Sequence, residues 1–183
     1  MWGKSTLYEE AVRIPMIMAG PGIKQGVCKT PVDLLDLFPT ILQGVGINSV
    51  SEMIDRPGQA LQELANAPAN LERIIMSEYH AAGSNTAGFM LRKGRYKLLY
   101  YVRYQPELYD LENDPEELEN LAANAKYADI LADLEHELRC ICNPEEMDDL
   151  AKQDQKAMIE RLGGIEVASR MGAAGATPSP VNN

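Results

Sequence analysis

Lys4 is the first residue of this chain whose neighbours in sequence suggest chemistry. Gly3 precedes it, and hydroxyl-bearing side chains follow at Ser5, Thr6 and Tyr8. A lysine ammonium is a compact charge, and hydroxyl donors beside it suit a small anion. The residues alone leave a second interpretation open, in which Lys4 is an exposed lysine without a ligand.

His80 is the second candidate for a functional site. It follows residues 73–79 (RIIMSEY), which have the character of a strand, and substrate pockets in open α/β sheets form at the ends of strands. Histidine can act there as an acid, a base or a donor to an anion. A purely structural role at a strand end is the alternative. Cys28, Cys140 and Cys142 are too few for a disulfide scaffold, and we interpret them as reduced thiols rather than metal ligands.

Composition and charge exclude two classes of function. The chain has 183 residues, 45% of them apolar, and a formal charge of −10. An acidic chain without clustered Lys and Arg does not predict a nucleic-acid surface, although one local lysine can still bind a small anion. The sequence contains no run of apolar residues that predicts a membrane span and no leader, so cytoplasmic location is the default expectation.

The first third of the chain predicts a strand and a helix. Residues 14–19 (IPMIMA) end at a Gly-Pro-Gly turn, which predicts a strand buried on both faces. Residues 30–46 begin with a cap residue and a proline and predict a helix that Pro39 kinks or restarts. Helical spacing assigns five residues to its core-facing stripe: Val32, Leu35, Phe38, Ile41 and Leu42.

The remainder predicts a small antiparallel sheet with helices. Strands are expected at residues 73–79, 86–91, 96–102 and 107–111. Lys93-Gly94 predicts a tight hairpin turn in which Gly94 takes a positive φ. Helices are expected at residues 59–65, from Asp114, and from Asn143 to Gly163-Gly164. A further helix is predicted by the apolar stripe Tyr127, Ile130, Leu131, Leu134 and Leu138.

These elements predict an α/β end piece followed by an α+β C-terminal subdomain. Residues 1–75 form the end of an α/β domain, residues 76–145 form the antiparallel subdomain, and residues 146–183 form a terminal helix and a disordered tail. The α/β part is too short to complete a sheet of its own.

Four stretches resemble motifs of the type I sulfatases, within the alkaline-phosphatase superfamily. Residues 2–22 are similar to G-K-x-T-x-Y-E-x-x-x-R-x-P-x-I-x-x-x-P-G, and residues 32–47 contain D-L-x-P-T-L-x-x-x-x-G-I with Ile in place of the second Leu. Residues 88–101 resemble the hairpin R-x-G-x-[WY]-K, and residues 107–122 resemble [EQ]-L-[YF]-D-L-x-x-D-P-x-E-x-x-N-L-A. The order of the motifs identifies the chain as the C-terminal portion of a sulfatase, nearest the choline-sulfatase-like branch.

The resemblance implies a chemistry of which this chain carries only a part. The family uses a formylglycine made from Cys or Ser in C/S-x-P-x-R, and a divalent cation, usually calcium, held by Asp and Asn. Neither is expected here, because the resemblance implies that the nucleophile motif and the metal ligands precede the G-K-x-T stretch. The one C-x-P, at Cys142, also lacks the arginine. Lys4 matches the lysine that contacts sulfate and neutralises the departing oxygen. Glu9 and Arg13 also match family positions and are expected to form an ion pair that fixes the Lys4 loop.

The expected function is therefore that of a sulfuric ester hydrolase, with this chain inactive by itself. Small sulfate esters are the implied substrates of the full-length protein. Either a homo-oligomer or a partner N-terminal sulfatase segment is compatible with the sequence. Two alternatives stay open: a non-catalytic binding or oligomerisation module, and a related phosphonate monoester or phosphodiester hydrolase. Arg92, Arg95 and Lys97 on the hairpin are interpreted as scaffold residues.

Overall fold

A four-stranded antiparallel sheet forms the centre of the fold. The computed structural model describes residues 5–47, 57–81 and 84–171. Within them the strands follow the order β1-β2-β3-β4 and are β1 (Ile74–Tyr79), β2 (Gly88–Lys93), β3 (Tyr96–Tyr101) and β4 (Glu107–Asp110). The α-helices are α1 (Glu9–Val12), α2 (Leu37–Gly44), α3 (Leu61–Asn66), α4 (Ala128–Ile141), α5 (Pro144–Arg161) and α6 (Ile165–Met171). The predicted small antiparallel sheet with helices is confirmed.

The hairpin between β2 and β3 forms where the sequence predicts it. Lys93 pairs with Tyr96 at the turn, and Leu91 pairs with Leu98 further along the ladder. Gly94 has a φ of 60°, which an L side chain rarely adopts. The two-residue turn therefore fixes the register of both strands, and with it which residues face each side of the sheet.

The two faces of the sheet carry different layers. One face packs against α4 and buries the larger apolar cluster, whose fully buried members include Phe89, Leu91, Leu98, Leu108, Leu134 and Leu138. The other face packs against the chain before α1 and buries a smaller cluster of Leu7, Met90, Leu99 and Tyr109. Alternate residues of each strand thus serve opposite layers, as the period of a strand requires.

Helix α5 begins as its sequence predicts and is tied to the sheet. The side chain of Asn143 accepts a hydrogen bond from the amide of Glu146, and Pro144 occupies the first turn. Asp148, which is 2% exposed, accepts a hydrogen bond of 2.8 Å from the amide of Ala87 just before β2. The helix ends at Arg161, two residues before the predicted glycines, and α6 follows.

The strand predicted at residues 14–19 is wrong. The segment is not part of a strand or helix, and Ile17 is 93% exposed. A strand buried on both faces needs neighbouring strands and covering helices. None of the described residues supplies them, so the apolar pattern has no local sheet to join.

The helix predicted from residue 30 begins later, and the face predicted to pack against the core is exposed instead. A 3₁₀ turn (Leu34–Asp36) precedes α2, and Asp33 caps it, so Pro39 falls harmlessly in the first turn of the α-helix. Asp36 and Thr40 hydrogen-bond to the amides of Gln59 and Leu61, which orients the polar side of this segment inward. The predicted core stripe is in consequence largely exposed, with Leu35 51%, Phe38 41% and Ile41 61% exposed.

The helix predicted from Asp114 does not form. The carboxylate of Asp114 accepts hydrogen bonds from the amides of Leu118 and Glu119, as a helix cap would. Glu117, however, has a φ of 55°, which no α-helix accommodates. This conformation turns its carboxylate into the protein, where it meets Lys97. A tertiary contact thus replaces the local preference for helix.

Several expectations stay predictions. The disordered tail falls on residues 172–183, which lie outside the described residues. The domain boundaries at residues 75 and 145 are likewise untested. Among the described residues, no helix combines the length and the apolar character that a membrane span requires.

Candidate functional site

The chain before and through α1 lies against the sheet and forms the described part of the candidate site. We call residues 5–13 the N-terminal segment. Leu7 is 4% exposed and packs with Met90, Leu99 and Tyr109 on the face opposite α4. Burying a leucine of this kind stabilises the contact by roughly 1.5–3 kcal/mol. The apolar anchor places the polar residues that follow it over the ends of β3 and β4.

Two tyrosines and one carboxylate form the first polar contact of this segment. The hydroxyl groups of Tyr8 and Tyr109 both donate to Oε2 of Glu107, at 2.7 and 2.8 Å. Burial, together with the hydrogen bond to Glu107, raises the pKa of Tyr8 to about 12. The pKa of Tyr109 is raised for the same reasons. Both hydroxyls therefore stay protonated donors at neutral pH and hold the segment to β4.

Three charged residues form the second polar contact, which we call the Lys97 cluster: Glu9, Lys97 and Glu117. The ammonium of Lys97 is fully buried and lies 3.0 Å from Oε1 of Glu9 and 2.7 Å from Oε1 of Glu117. The second oxygen of Glu117 accepts a hydrogen bond of 2.6 Å from the amide of Glu9. The side chain of Glu117 is 1% exposed and that of Glu9 14%.

The Lys97 cluster corrects the expected ion pair between Glu9 and Arg13. Glu9 pairs with Lys97 instead, and its link to Arg13 is the backbone hydrogen bond of α1, at 3.0 Å. The two residues are one helical turn apart, a spacing at which their side chains could meet, but the buried ammonium of Lys97 pairs with the Glu9 carboxylate instead. The tertiary partner, which comes from β3, could not be read from the local sequence.

Lys4 lies outside the described residues, which begin at Ser5. It directly precedes the N-terminal segment in sequence, five positions before Glu9. Its contact with sulfate therefore stays a prediction.

His80 lies on the other side of the sheet from the N-terminal segment. Its ring packs edge-on against Phe89, with 5.5 Å between centroids, and Phe89 belongs to the cluster beneath α4. Nε2 is 3.2 Å from the carboxylate of Glu78, while Nδ1 is buried without a hydrogen-bond partner among the described residues. The backbone oxygen of His80 accepts a bond from Gln155 of α5. The structure does not bring His80 together with the N-terminal segment, and its role as a pocket residue stays a prediction.

The basic residues of the hairpin are engaged with acids of the scaffold. Nε of Arg95 donates to Asp110 at 2.6 Å, and a second donor of the same guanidinium completes the pair. The Arg95 guanidinium holds the pKa of Asp110 below its usual range. Lys93 contacts Asp133 at 2.9 Å and Glu137 at 2.8 Å, both on α4. Arg95 thus stabilises the hairpin, as predicted for a scaffold residue, and Lys93, which was not among the predicted residues, links the hairpin to α4.

The cysteines are free thiols. Cys140 and Cys142 are at the end of α4, and Sγ of Cys140 is 3.6 Å from Nε2 of His136, one helical turn earlier. Burial raises the pKa of the Cys142 thiol. In the described part of the chain, no group of three or more His, Cys, Asp or Glu side chains is placed to hold a metal ion. These residues therefore do not fit the cation that the sulfatase resemblance implies.

A groove of about 460 Å³ runs beside the N-terminal segment. Leu7 and Val12 form one wall, Leu34 belongs to another, and Ser77 and Tyr79 of β1 form the floor. β1 is the edge strand of the sheet, so its outer side is not paired within the described residues. Its lining also includes the exposed apolar side chains of Ile14, Met16, Leu34 and Leu35.

The sequence did not identify Lys97 and Glu117 as partners of the N-terminal segment. A signal was nevertheless present, because each member of the Lys97 cluster lies inside one of the sulfatase-like motifs. Glu9 ends K-x-T-x-Y-E, Lys97 ends R-x-G-x-[WY]-K and Glu117 ends D-P-x-E. Charged residues in three separate motifs are candidates for one shared contact.

The fold and the N-terminal segment are those of the C-terminal part of a sulfatase. Over residues 1–144 the chain matches the family described as N-sulphoglucosamine sulphohydrolase, C-terminal. The chain belongs to this family.

Curated relatives support the same family. Mouse arylsulfatase K (Mus musculus) is 35% identical over 76% of this chain and 27% of its own length. Choline-sulfatase of Rhizobium meliloti is 36% identical over 69% of this chain and 24% of its own length. The chain thus spans about a quarter of the length of these relatives, and the relationship includes the predicted choline-sulfatase branch.

Solved structures share the fold. A candidate sulfatase from Bacteroides thetaiotaomicron has a TM-score of 0.58 and 33% identity over 83% of this chain and 33% of its own. The phosphonate monoester hydrolase of Silicibacter pomeroyi has a TM-score of 0.60 and 29% identity over 75% of this chain and 30% of its own. Both sulfatases and a phosphonate hydrolase therefore carry this arrangement of sheet and helices.

Proposed function

We propose that this chain is the C-terminal part of a sulfuric ester hydrolase and contributes Lys4 to its sulfate site. The observation that carries the proposal is the family match over residues 1–144, which includes the motif around Lys4. The docking of the N-terminal segment on the sheet supports it, because Leu7 and Tyr8 of the same motif are held in place there.

Lys4 would act on charge that develops as the ester bond breaks. The oxygen that leaves sulfur becomes negative in the transition state, and an ammonium beside it lowers the free energy of that state more than of the bound substrate. A compact ammonium fits beside one oxygen, whereas a guanidinium is larger and planar. The nucleophile and the metal ligands would come from outside this chain, because the described residues do not fit them.

A partner segment is part of this proposal. Ile14, Ile17 and Val27 are 53%, 93% and 90% exposed, and the stripe of α2 is exposed beside them. Large exposed apolar surface on a monomeric protein is typical of an interaction site. We infer that the N-terminal portion of the sulfatase covers residues 14–47, which agrees with a chain that spans about a quarter of its relatives' length.

A chimera tests the proposal. This chain would replace the matching region of Rhizobium meliloti choline-sulfatase, and turnover of choline sulfate and of an aryl sulfate would be measured. We expect activity that Lys4→Ala reduces by on the order of 10²–10³ in kcat, with little change in KM. Lys4→Arg should not restore it.

Lys126→Ala is the matched control, because Lys126 is an exposed lysine in the turn before α4. It should leave kcat within a factor of about two. A folded chimera that Lys4→Ala leaves equally active would refute the role of Lys4, and a folded but inactive chimera would refute the proposed function.

Phosphonate monoester hydrolysis is the second candidate, favoured by the TM-score of 0.60 with the Silicibacter pomeroyi enzyme. The genomic sequence upstream of this chain separates the candidates. An in-frame C-x-P-S-R with an Asp-His-Gly would support a sulfatase or its phosphonate relative, and comparing the two ester types on the resulting full-length enzyme would decide between them. An unrelated promoter would favour the non-catalytic binding module.

A further inference from the structure

The Lys97 cluster joins parts of the chain that are far apart in sequence. Glu9 and Lys97 are 88 positions apart, and Glu117 lies in the loop after β4. One ammonium faces two carboxylates, and the lysine is completely shielded from solvent. Removing one partner from such a group leaves a buried charge without compensation, which is strongly destabilising.

Glu117 binds the N-terminal segment in two ways. One carboxylate oxygen meets Lys97, which in turn meets the side chain of Glu9, and the other oxygen accepts the amide of Glu9. That amide is at the first position of α1 and has no acceptor within the helix. Glu9 therefore holds the segment in place through both its side chain and its backbone amide.

We propose that Lys97 is a positioning residue, which fixes the N-terminal segment on the sheet and thereby the residues that directly follow Lys4 in sequence. The role of the segment in catalysis rests on the proposed function. The attachment of the segment to the sheet does not rest on the proposed function, because it follows from the distances between Lys97, Glu9 and Glu117.

Other contacts keep the sheet intact without the cluster. The strands pair with one another and pack beneath α4 independently of the cluster. Loss of Lys97 should therefore loosen the segment around Glu9, where Leu7 and Tyr8 keep their own contacts, and leave the strands paired. Local opening of this kind is visible as faster amide exchange in one region only.

Hydrogen exchange on the 183-residue chain is the first test. In Lys97→Met, amides of residues 7–13 should exchange at least about tenfold faster, while those of β2 and β3 keep their protection. Lys93→Met is the matched control: Lys93 lies on the same hairpin but pairs with Asp133 and Glu137 of α4. It should leave exchange in residues 7–13 within about twofold of the unmodified chain.

A double variant tests whether the charge is responsible. In Lys97→Met with Glu117→Gln, the fully buried carboxylate is replaced by a neutral amide whose oxygen can still accept the Glu9 backbone, and only the partly exposed Glu9 carboxylate keeps its charge. Protection of residues 7–13 should return toward the unmodified level. Unchanged exchange in Lys97→Met, or no recovery in the double variant, would overturn the proposal.

Turnover by the chimera with choline-sulfatase is the second test. Lys97→Met should lower kcat by about tenfold or more with a smaller change in KM, because small displacements of a catalytic group are costly, and the double variant should recover part of the loss. Faster exchange with unchanged kcat would show that the cluster is structural only and overturn the positioning role. A folded but inactive unmodified chimera would refute the proposed function and the positioning role with it, while exchange would still decide whether the cluster holds the segment.

Discussion

Asp36 shows how one residue of a sulfatase-like motif organises its surroundings. Its carboxylate is fully buried and accepts hydrogen bonds from the amides of Asp33 and Gln59 and from both terminal nitrogens of Arg73. The closest of these contacts, to Arg73, is 2.6 Å. The aspartate of D-L-x-P-T therefore acts as a structural hub for the turn before α2 and not as an exposed acid.

Asp36→Ala should destabilise the chain by about 3–5 kcal/mol, because it leaves the Arg73 guanidinium and two amides without their acceptor. Unfolding in urea, followed by circular dichroism, measures the change. The control is Asp149→Ala, because Asp149 is 65% exposed and its ion pair with Arg103 is long at 3.8 Å. Its loss should cost less than about 0.5 kcal/mol. Equal losses of stability in both variants would contradict this structural role of Asp36.

Glu145 provides a pH-dependent contact between α5 and the sheet. Arg139 donates to both of its oxygens at 2.8 and 3.0 Å, and the hydroxyl of Tyr100 donates at 2.7 Å. The bonds from Arg139, followed by that from Tyr100, lower the pKa of Glu145 to about 2. The charged form is thus favoured in the folded state, and its contribution is complete above the ordinary pKa of 4.5 and lost as the pH falls toward 2.

Glu145→Gln should therefore lower Tm at about pH 6, and the difference from the unmodified chain should narrow as the pH falls from about 5 to 3. Because the side chain of Glu145 is 46% exposed, solvent screening limits the contribution to about 1 kcal/mol or less. Thermal unfolding over this pH range measures it, and added salt should reduce the difference at pH 6. A difference that widens on acidification would contradict the assigned direction.

The β2–β3 hairpin and the loop before α3 each depend on a glycine, for different reasons. Gly94 has a φ of 60°, but a Cβ there would come no closer than 3.5 Å, to the backbone oxygen of Leu71. Gly58 has a φ of 113°, and a Cβ would come within 2.5 Å of the backbone oxygen of Leu35. Gly94 is required only for its positive φ. Gly58 is required both for its positive φ and because the backbone of Leu35 leaves no room for a Cβ.

Gly94→Ala should cost about 1–2 kcal/mol, the penalty for an L residue in this conformation. Gly94→Asn should cost less, because asparagine tolerates it. Gly58→Ala should cost more than Gly94→Ala, since the backbone of Leu35 must also move. Denaturant unfolding of the three variants ranks them. A larger loss at Gly94 than at Gly58 would show that the close approach to Leu35 is unimportant.

One part of the described molecule buries its apolar side chains, and another part leaves them exposed. The sheet, α4 and α5 enclose a continuous apolar core. Residues 14–47, by contrast, expose apolar side chains and include a segment, residues 14–19, that pairs with no strand in the described part of the chain. This asymmetry fits a chain that needs another segment to complete its catalytic domain, as proposed above.

The isolated 183-residue chain should not hydrolyse aryl sulfates above the buffer rate or bind calcium tightly. The sequence lacks C/S-x-P-x-R, and no described cluster of acids or histidines fits a metal ion. A chromogenic assay and calorimetric titration with calcium measure both, with choline-sulfatase of Rhizobium meliloti as the positive control. Calcium-dependent turnover by this chain alone would contradict the proposal that its partner segment supplies the nucleophile.

Local sequence determined the elements whose residues need only their neighbours. The turn glycine and flanking alternation specified the hairpin around Gly94, and the cap at Asn143 with Pro144 specified the start of α5. The sulfatase-like motifs identified the family that the comparison with residues 1–144 confirmed. Propensity, turn chemistry and capping act over a few residues, so these features can be read directly from the chain.

Tertiary structure decided the contacts between distant residues. Glu117 leaves the helical conformation that Asp114 and Pro115 favour because its carboxylate meets Lys97, and Glu9 pairs with the same lysine rather than with Arg13. Residues 14–19 carry a strand pattern but have no described strand beside them. Burying a charge requires a partner, and pairing a strand requires a neighbour; both come from elsewhere in the fold, so a local pattern cannot specify them.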